Sequence, residues 1–434
     1  MSNNAGDNSP RHFALWVVEK LRAAGFQALW AGGCVRDELL GQEPSDYDVA
    51  TDATPEQVRT CFGKRHTLAI GAAFGVVVVL GRGTEGQVEV ATFRRDVGYS
   101  DGRRPDAVQF CTAREDALRR DFTMNGLFFD PLTQQVLDYV AGRDDLAAGI
   151  VRAIGDPAER FAEDKLRMLR AARFASTFRF RLDPHTAEAV RRESRGLTVV
   201  SAERIATELR KLLLPETRAD GAALLQDLRL LEVILPESRA LFEPANPGHE
   251  LERDLWLTTL EILHALKQPT FRVALAALLW GIHATDPHPP THIQNIGARL
   301  KLSNHDAHGM RWLLQQQTLL RQARSAPWPT LQRVLIAPAI DEALVLAEAV
   351  AQVIDHCADD VAYCRTKLEL PRNVLHPHML INGDDLRAAG FSAGPRFRDV
   401  LDRVRDAQLE GSISNRDEAL QLARHLFTGP SSLP

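Results

Sequence analysis

The segment LWAGGCVRDELLGQEPSDYDVAT, residues 29–51, determines which kind of domain begins this chain. It starts as an apolar strand, turns at a pair of glycines and continues as a short helix that ends at Gly41. A second short strand, YDVAT, follows. Strand, glycine turn, helix and strand in so few residues indicate an α/β domain, which we expect to extend to about residue 150.

Two aspartates, Asp46 and Asp48, are separated by one residue in the second predicted strand. Alternate residues of a strand share a face, so the carboxylates should lie side by side. A divalent cation would relieve their repulsion, and oxygen-only ligands favour Mg²⁺. Glu89, on the strand predicted for QVEVATF, is a candidate third catalytic carboxylate. This cluster suits phosphoryl or nucleotidyl transfer; the alternatives are a turn cap for Asp46 and an exposed strand side chain for Glu89.

Glycine and arginine residues near the predicted acidic cluster indicate a nucleotide phosphate site. The backbone amides around Gly33, at a helix start, can hold phosphate oxygens, and Arg36 lies one turn further along. The segment RRDFTMNG adds Arg120 as a second candidate phosphate ligand. Asp121 and Asn125 are candidates for orienting the sugar or the junction with the next domain, and the alternative for Asp121 is a helix-end cap.

The segment RFAEDKLRMLRAARF is predicted to lie on one long helix and to select the base. Asp164 and Arg167 are three residues apart, so a helix would make them neighbours. Cytosine and adenine present an amine beside a ring-nitrogen acceptor, and uracil and guanine present the reverse, so an acceptor beside a donor would admit CTP and ATP only. Arg170 and Arg173 are candidate ligands of triphosphate or RNA. The alternative is an exposed helix face with ion pairs along it.

The overall composition limits the class of protein. The 434 residues carry a formal net charge of −5, so a nucleic-acid partner requires a local basic surface, and we expect neither DNA nor a membrane as partner. Five scattered cysteines without a C-x-x-C pair indicate a cytoplasmic protein. The chain start lacks the pattern of a signal peptide, and no apolar run is long enough for a bilayer span.

The motifs GGCVRD, DYD, RRDFTMNG and EDKLRMLRAARF occur here in the order found in a known family. Over about residues 28–183 the chain resembles the class II tRNA nucleotidyltransferases (CCA-adding enzymes) and bacterial poly(A) polymerases, a branch of the DNA polymerase beta superfamily. The resemblance implies an α+β fold, in which a polymerase-beta-like head of mixed sheet and helices precedes an all-helical neck, body and tail. The domains expected are a disordered N-terminal segment, the head, the neck, a degenerate HD-like body and an RNA-binding tail, at residues 1–10, 11–150, 151–215, 216–365 and 366–434.

The resemblance also implies an activity, which is template-independent addition of C, C and A to tRNA 3′ ends from CTP and ATP with release of pyrophosphate. It implies Mg²⁺ on Asp46 and Asp48, with Glu89 at the third acidic position. The other implied roles are phosphate contacts for Gly33, Arg36 and Arg120, base pairing for Asp164 and Arg167, and further nucleotide contacts for Asp121, Arg170 and Arg173. The alternatives are an A-adding or CC-adding enzyme, a poly(A) polymerase, and a non-enzymatic RNA-binding protein.

A segment in the predicted body, residues 254–287, resembles an HD-type helical domain without its metal ligands. Thr258, Trp280 and Gly281 stand where that domain has its ligands, so we expect no phosphohydrolase metal site there. His283, His288 and His292 are expected to be solvated histidines of a Pro-rich loop.

Overall fold

The computed structural model describes residues 9–69, 74–81, 83, 86–98, 107–242, 254–285, 289–392, 394 and 396–428. The chain divides into two compact units, Met1–Arg239 with Arg299–Lys301, and Ala240–Ala298 with Leu302–Pro434. The segments predicted as head and neck fall in the first unit. Most of the predicted N-terminal segment lies outside the described residues, and the finer domain bounds stay predictions.

Within the described residues, seven strands of the first unit form one mixed sheet in the order β3-β4-β5-β2-β1-β8-β9. A separate hairpin pairs β6 with β7. The strands of the sheet and hairpin are β1 Ala28–Ala31, β2 Asp48–Thr51, β3 Thr67–Leu68, β4 Val76–Leu80, β5 Gln87–Thr92, β6 Arg94–Val97, β7 Ala107–Phe110, β8 Leu127–Asp130 and β9 Gln135–Asp138.

Helices surround this sheet and continue into the neck segment, residues 151–215. They are α1 Pro10–Ala23, α2 Gly33–Leu39, α3 Pro55–Phe62, α4 Ala113–Leu118, α5 Gly142–Ala148, α6 Pro157–Glu163, α7 Leu166–Phe178, α8 Pro184–Glu193, α9 Ala202–Leu213, α10 Arg218–Asp227 and α11 Leu231–Ile234. Two short parallel strands, β10 Ile150–Val151 and β11 Arg181–Leu182, interrupt the helical pattern. The α+β fold with a mixed sheet in the head is confirmed.

Local sequence signals explain several of these elements. The segment TPEQVRTCF predicts a helix with Thr54 as N-cap and Pro55 at its first position, and α3 begins there, with a capping box between Thr54 and Gln57. The β-branched runs FGVVVVLG and QVEVATF, separated by RGTEG, predict a hairpin, and they form the antiparallel pair β4 and β5. Leu29 and Phe128 pack with other apolar side chains into the core under the sheet.

The second described strand begins one residue later than predicted. Asp46 precedes β2, which starts at Asp48. Tyr47 between them is buried, packs edge-on against Trp30 and donates a hydrogen bond to Glu38. Both aspartates are exposed, so the buried tyrosine separates two solvent-facing acids although only one of them lies in the strand.

The long helix predicted around residue 164 is wrong, because α6 ends at Glu163 and α7 begins at Leu166. Asp164 has extended backbone angles, φ −144° and ψ 105°. Its carboxylate accepts a hydrogen bond from Leu166 N at 3.0 Å, and its carbonyl accepts one from Arg167 N. The aspartate satisfies backbone amides that are free at a helix start, which stabilises the break.

The described residues of the second unit are helical. The helices are α12 Leu255–Ala265, α13 Phe271–Leu278, α14 Trp280–Thr285, α15 Pro289–Arg299, α16 Asn304–Arg321, α17 Trp328–Leu335, α18 Ile340–Ile354, α19 Asp359–Leu368, α20 Arg372–Leu375, α21 Gly383–Ala388, α22 Arg396–Leu409 and α23 Arg416–Thr428. No helix among the described residues has the length and apolarity needed to cross a membrane.

The HD-like segment is packed as a helical core. Thr258 and Trp280 are buried, and a Cβ atom at Gly281 would lie 2.8 Å from Thr259 Oγ1, so only glycine fits there. The predicted loop is largely helical, with His283 on α14 and His292 on α15. His288 lies outside the described residues.

Candidate active site

Three carboxylates lie close together around the start of β2. The parallel register of β2 and β5 places Asp48 opposite Glu89. Burial, together with the Glu89 and Asp46 carboxylates, raises the pKa of Asp48 to about 6 against the opposing charge of Arg120. The side chain still reaches solvent. An excess of negative charge at this position favours a cation.

The donor set suits a hard divalent cation. Asp46 and Asp48 offer only oxygen ligands, and neither side chain forms an ion pair with a basic residue among those described. Within the described ranges, no group of three or more His, Cys, Asp or Glu side chains is arranged to hold a metal ion by itself. Mg²⁺ is commonly held by one or two carboxylates together with water and substrate phosphates. The open pair therefore fits a metal that shares its coordination sphere with a substrate.

The glycine turn before α2 lies against Arg120. Gly32 has φ 74°, and a Cβ atom there would lie 2.8 Å from Arg120 Nη1. Buried Asp116 holds Arg120 at 3.0 Å and Arg119 at 2.7 Å. Although burial alone would raise the pKa of Asp116, the Arg120 and Arg119 guanidiniums lower it. The sequence analysis did not identify Asp116. Its spacing is informative, because this acidic residue lies three residues before Arg119 and four before Arg120, at the end of a helix.

Gly32→Ala tests this close approach. Alanine strains the backbone at φ 74° and displaces Arg120, so we expect catalytic efficiency to fall on the order of tenfold to a hundredfold. Gly41→Ala is the matched control, because Gly41 has φ 70° and nothing within 4 Å of an added Cβ. Thermal unfolding and kcat/KM of both variants separate backbone strain from displacement of the arginine. Equal losses of activity in the two variants would contradict the role given to Arg120.

Arg36 contacts the head and the neck segments instead of extending freely into solvent. Its side chain is buried, pairs with Asp37 at 2.7 Å and donates to Asn125 Oδ1 at 2.7 Å. The guanidinium also lies 4.6 Å from the Phe178 ring centroid on α7. Phosphate binding by Arg36 and by the Gly33 turn stays a prediction. The observed contacts of Arg36 connect the predicted head segment, through Asn125, with the predicted neck segment, through Phe178.

A buried polar chain continues from Asn125 into the neck. Asn125 Nδ2 donates to Asp121 Oδ1 at 3.0 Å, and Arg170 donates twice to Asp121 Oδ2, at 2.5 and 2.8 Å. Although burial would raise the pKa of Asp121, the Arg170 charge and the hydrogen bonds from Asn125 and Arg170 lower it to about 2. Asp121 thus joins the two segments as an ionised carboxylate, in agreement with the junction role considered for it.

Glu208 on α9 extends this buried polar chain, and the sequence analysis did not identify it. It forms an ion pair with Arg173 at 2.7 Å and lies 3.9 Å from Arg170. Burial lowers the pKa of Arg173 against the opposing attraction of Glu208. A signal was present, because Glu208 lies on the same helical stripe as the buried Ile205 and Leu212. A glutamate on an apolar stripe indicates a buried basic partner.

The two residues predicted to select the base are held by different partners. Arg204 on α9 pairs with Asp164, with its nitrogens 2.7 and 3.2 Å from the two carboxylate oxygens. Arg167 pairs with Glu163 at 2.6 Å and donates to the Arg119 carbonyl at 3.2 Å. No ion pair joins Asp164 to Arg167 among the described residues. The prediction that they lie on one helix is wrong, because the helix is interrupted at Asp164 and Lys165.

Cys34 lies under the glycine turn. Its Sγ is 3.5 Å from the Ala31 carbonyl and 4.0 Å from the Asp48 carbonyl, and only 2% of the residue is exposed. Burial, together with the Asp48 charge, raises the pKa of the thiol to about 12. The thiol is therefore a small packing group beneath the carboxylates.

An arginine-lined cleft of about 1130 Å³ lies in the first unit on α8, α10 and the turns beside them. Arg191 pairs with Asp227 at 2.5 Å, and Arg239 pairs with Glu232 at 3.2 Å. Arg195 is exposed and has no acidic partner in the described part of the chain; the same holds for Arg229. These two guanidiniums are available to an anion. The arginines of this cleft are Arg191, Arg192, Arg195, Arg229 and Arg239.

Comparison with known proteins places these features in one family. The sequence matches the Poly A polymerase head domain at residues 28–152 and the domain described as the probable RNA and SrmB-binding site of polymerase A at residues 179–241. The CCA-adding enzyme of Ligilactobacillus salivarius is 31% identical over 95% of this chain and 96% of its own length. That of Lactiplantibacillus plantarum is 31% identical over 93% of each chain.

Solved structures extend the similarity to three dimensions. The structure of the Bacillus stearothermophilus CCA-adding enzyme in complex with CTP has 27% identity and a TM-score of 0.72, and the match covers 96% of this chain and 98% of that one. The Thermotoga maritima CCA-adding enzyme complexed with tRNA_CCA shares the fold at 18% identity and a TM-score of 0.63, covering 96% and 95%.

Proposed function

This chain belongs to the CCA-adding enzymes, and we propose that its head and neck residues add C, C and A to tRNA 3′ ends from CTP and ATP. The observation that carries the proposal is the register that sets Asp48 opposite Glu89, beside Arg120. Relatives that match over nearly their whole length support the complete activity. In each cycle the tRNA 3′ hydroxyl releases its proton to solvent and its oxygen bonds to the α-phosphorus, while the bond from that phosphorus to the oxygen bridging the α- and β-phosphates breaks and pyrophosphate leaves.

Asp46 and Asp48 are the residues that would hold a divalent metal, as is usual in this family, and we propose that it is Mg²⁺. When bound, the ion supplies positive charge for the attacking hydroxyl and the leaving pyrophosphate. Arg120, fixed by Asp116 against the glycine turn, is placed to neutralise triphosphate oxygens. Glu89 adds to the negative potential that attracts the cation.

We propose that Asp164 and Arg167 select the base, each held in place by its own ion-pair partner. The ionised carboxylate only accepts hydrogen bonds and the guanidinium only donates them, so together they match the edges of cytosine and adenine. Uracil or guanine would leave both protein groups unpaired, and such mismatches give large discrimination. Arg170 and Arg173, held by Asp121 and Glu208, are proposed to make further nucleotide contacts.

The experiment that tests this function uses tRNAs ending before the first C, before the second C and before A. Each is incubated with Mg²⁺ and one labelled nucleotide at a time. We expect CTP, CTP and ATP, respectively, to be incorporated, with loss of activity on chelation and recovery on adding Mg²⁺ back. Equal use of UTP and GTP would contradict the proposal. Products limited to CC or to A would identify the narrower alternatives, and long A tails would identify a poly(A) polymerase.

The arginine-lined cleft is proposed to contact the tRNA backbone, because phosphate recognition relies on exposed guanidinium groups. Reversing the charge of Arg195 and Arg229 together should raise the KM for tRNA on the order of tenfold and weaken its salt dependence, with little change in the KM for CTP. Arg143→Glu, at an exposed position on α5, is the control. An unchanged KM for tRNA in the double variant would exclude this contact.

A cytoplasmic location is part of the same proposal. It is supported by free cysteines throughout the described residues, including buried Cys34 and Cys364 and exposed Cys357.

A further inference from the structure

We propose that Arg204 is a positioning residue for nucleotide choice, which holds Asp164 so that one acceptor site of its carboxylate remains for the base. The inference rests on the proposed function, because it assumes that Asp164 accepts the amine of cytosine or adenine. It adds a residue from α9, forty positions along the chain, to the selecting group.

The carboxylate of Asp164 needs such a support because it does not lie on a regular helix. It stands in the break between α6 and α7, with extended backbone angles. The Asp164 side chain is 17% exposed and that of Arg204 is 23% exposed, so the pair is neither free in solvent nor sealed from a substrate. The Arg204 side chain makes no other polar contact among the described residues.

The donors on the two carboxylate oxygens of Asp164 are unequal. Oδ1 accepts from Leu166 N at 3.0 Å and from Arg204 Nη1 at 3.2 Å. Oδ2 accepts from Arg204 Nη2 at 2.7 Å and from no other described donor. A carboxylate oxygen has about two acceptor sites, so Oδ1 is filled and Oδ2 keeps one site for an exocyclic amine.

The donor half of the selecting group is fixed independently. Glu163 and the Arg119 carbonyl hold Arg167, whereas Arg204 alone among side chains holds Asp164 in the described structure. The spacing of acceptor and donor therefore depends on where α9 places the Arg204 guanidinium. A planar fork that contacts both oxygens fixes carboxylate rotation, which a lysine contacting one oxygen cannot do.

Arg204→Gln and Arg204→Lys test the inference, with Lys211→Gln, at an exposed position of the same helix, as the matched control. In Arg204→Gln we expect the KM for CTP and ATP to rise about tenfold, kcat to change less than about twofold, and the ratio of UTP to CTP incorporation to rise about tenfold. Arg204→Lys should recover part of the affinity and less of the discrimination. Lys211→Gln should match the unmodified enzyme.

Asp164→Asn separates this inference from the proposed function. If Asp164→Asn leaves nucleotide choice unchanged, the base-reading role itself is refuted. If Asp164→Asn alters the choice but Arg204→Gln does not, or if Arg204→Gln slows all four nucleotides equally, only the role of Arg204 is refuted. We expect the double variant Asp164→Asn/Arg204→Gln to discriminate no worse than Asp164→Asn alone, and a further additive loss would overturn the inference. Should thermal unfolding show that Arg204→Gln is not folded, Arg204→Lys carries the same comparison.

Discussion

Asp48→Asn should lower kcat for CTP and ATP alike by about 10³-fold, because the charge stabilisation that a bound metal supplies is worth several kcal/mol and each 1.36 kcal/mol is tenfold. The amide keeps the shape of the side chain but removes the negative charge that faces Glu89 and Asp46. Single-turnover incorporation on tRNA lacking its terminal A measures the chemical step directly. Glu43→Gln, at an exposed position in the preceding loop, should retain full activity.

The same variant should not be less stable in the absence of metal. The folded-state pKa of Asp48, about 6, lies above its ordinary value of 3.8, so the protonated form is favoured by folding. Its contribution to stability is present below pH 3.8 and is lost as the pH rises through 6, because the ionised form is then partly desolvated beside like charges. At neutral pH Asp48→Asn removes this cost. A large drop in activity with an equal or higher unfolding temperature distinguishes a catalytic role from damage to the fold, and unchanged activity would refute the metal assignment.

Asp121→Asn should lower the free energy of unfolding by about 3 kcal/mol, which is the lower end for breaking a buried ion pair. The lower end applies because the Arg170 side chain is 32% exposed and can recover some hydration. Chemical denaturation monitored by circular dichroism measures the loss. Asp121→Asn combined with Arg170→Met removes both charges and should recover part of the stability, whereas two independent losses would contradict a coupled pair.

Acid unfolding gives a second readout of Asp121. Its folded-state pKa of about 2 lies below the ordinary 3.8, so its contribution is present above pH 3.8 and is lost as the pH falls toward 2. The asparagine variant should therefore lose less stability than the natural protein between pH 4 and 2. Parallel acid-unfolding curves for the two proteins would show that Asp121 is not held ionised by Arg170.

Local signals were sufficient to predict much of the head. The Thr54 N-cap, the β4–β5 hairpin and the glycine turn each depend on residues within a few positions of one another, and the structure confirms them. That Asp48 and Glu89 are opposite each other could not be derived this way, because a parallel pairing between distant strands is set by tertiary packing.

The neck shows why helical spacing failed for the base-selecting residues. The segment around Asp164 has good helix formers on both sides, so propensity alone favours continuity. The break is stabilised by contacts that local sequence does not reveal: the carboxylate binds Leu166 N and also Arg204 from another helix. Asp116 and Glu208 carried weaker signals, because each is an acid whose basic partner becomes evident only when its helix face is known to be buried.

The buried thiol beneath the glycine turn has a practical consequence for spectroscopy. Maleimide reagents react with accessible thiolates, and Cys34 is shielded by the fold and holds its proton at neutral pH. Cys357 is exposed on the second unit. Once the partly exposed Cys61 and Cys111 are replaced, a fluorophore can therefore be attached at Cys357 while Cys34 and the chemistry beside Asp48 stay intact, which allows tRNA engagement to be followed in real time.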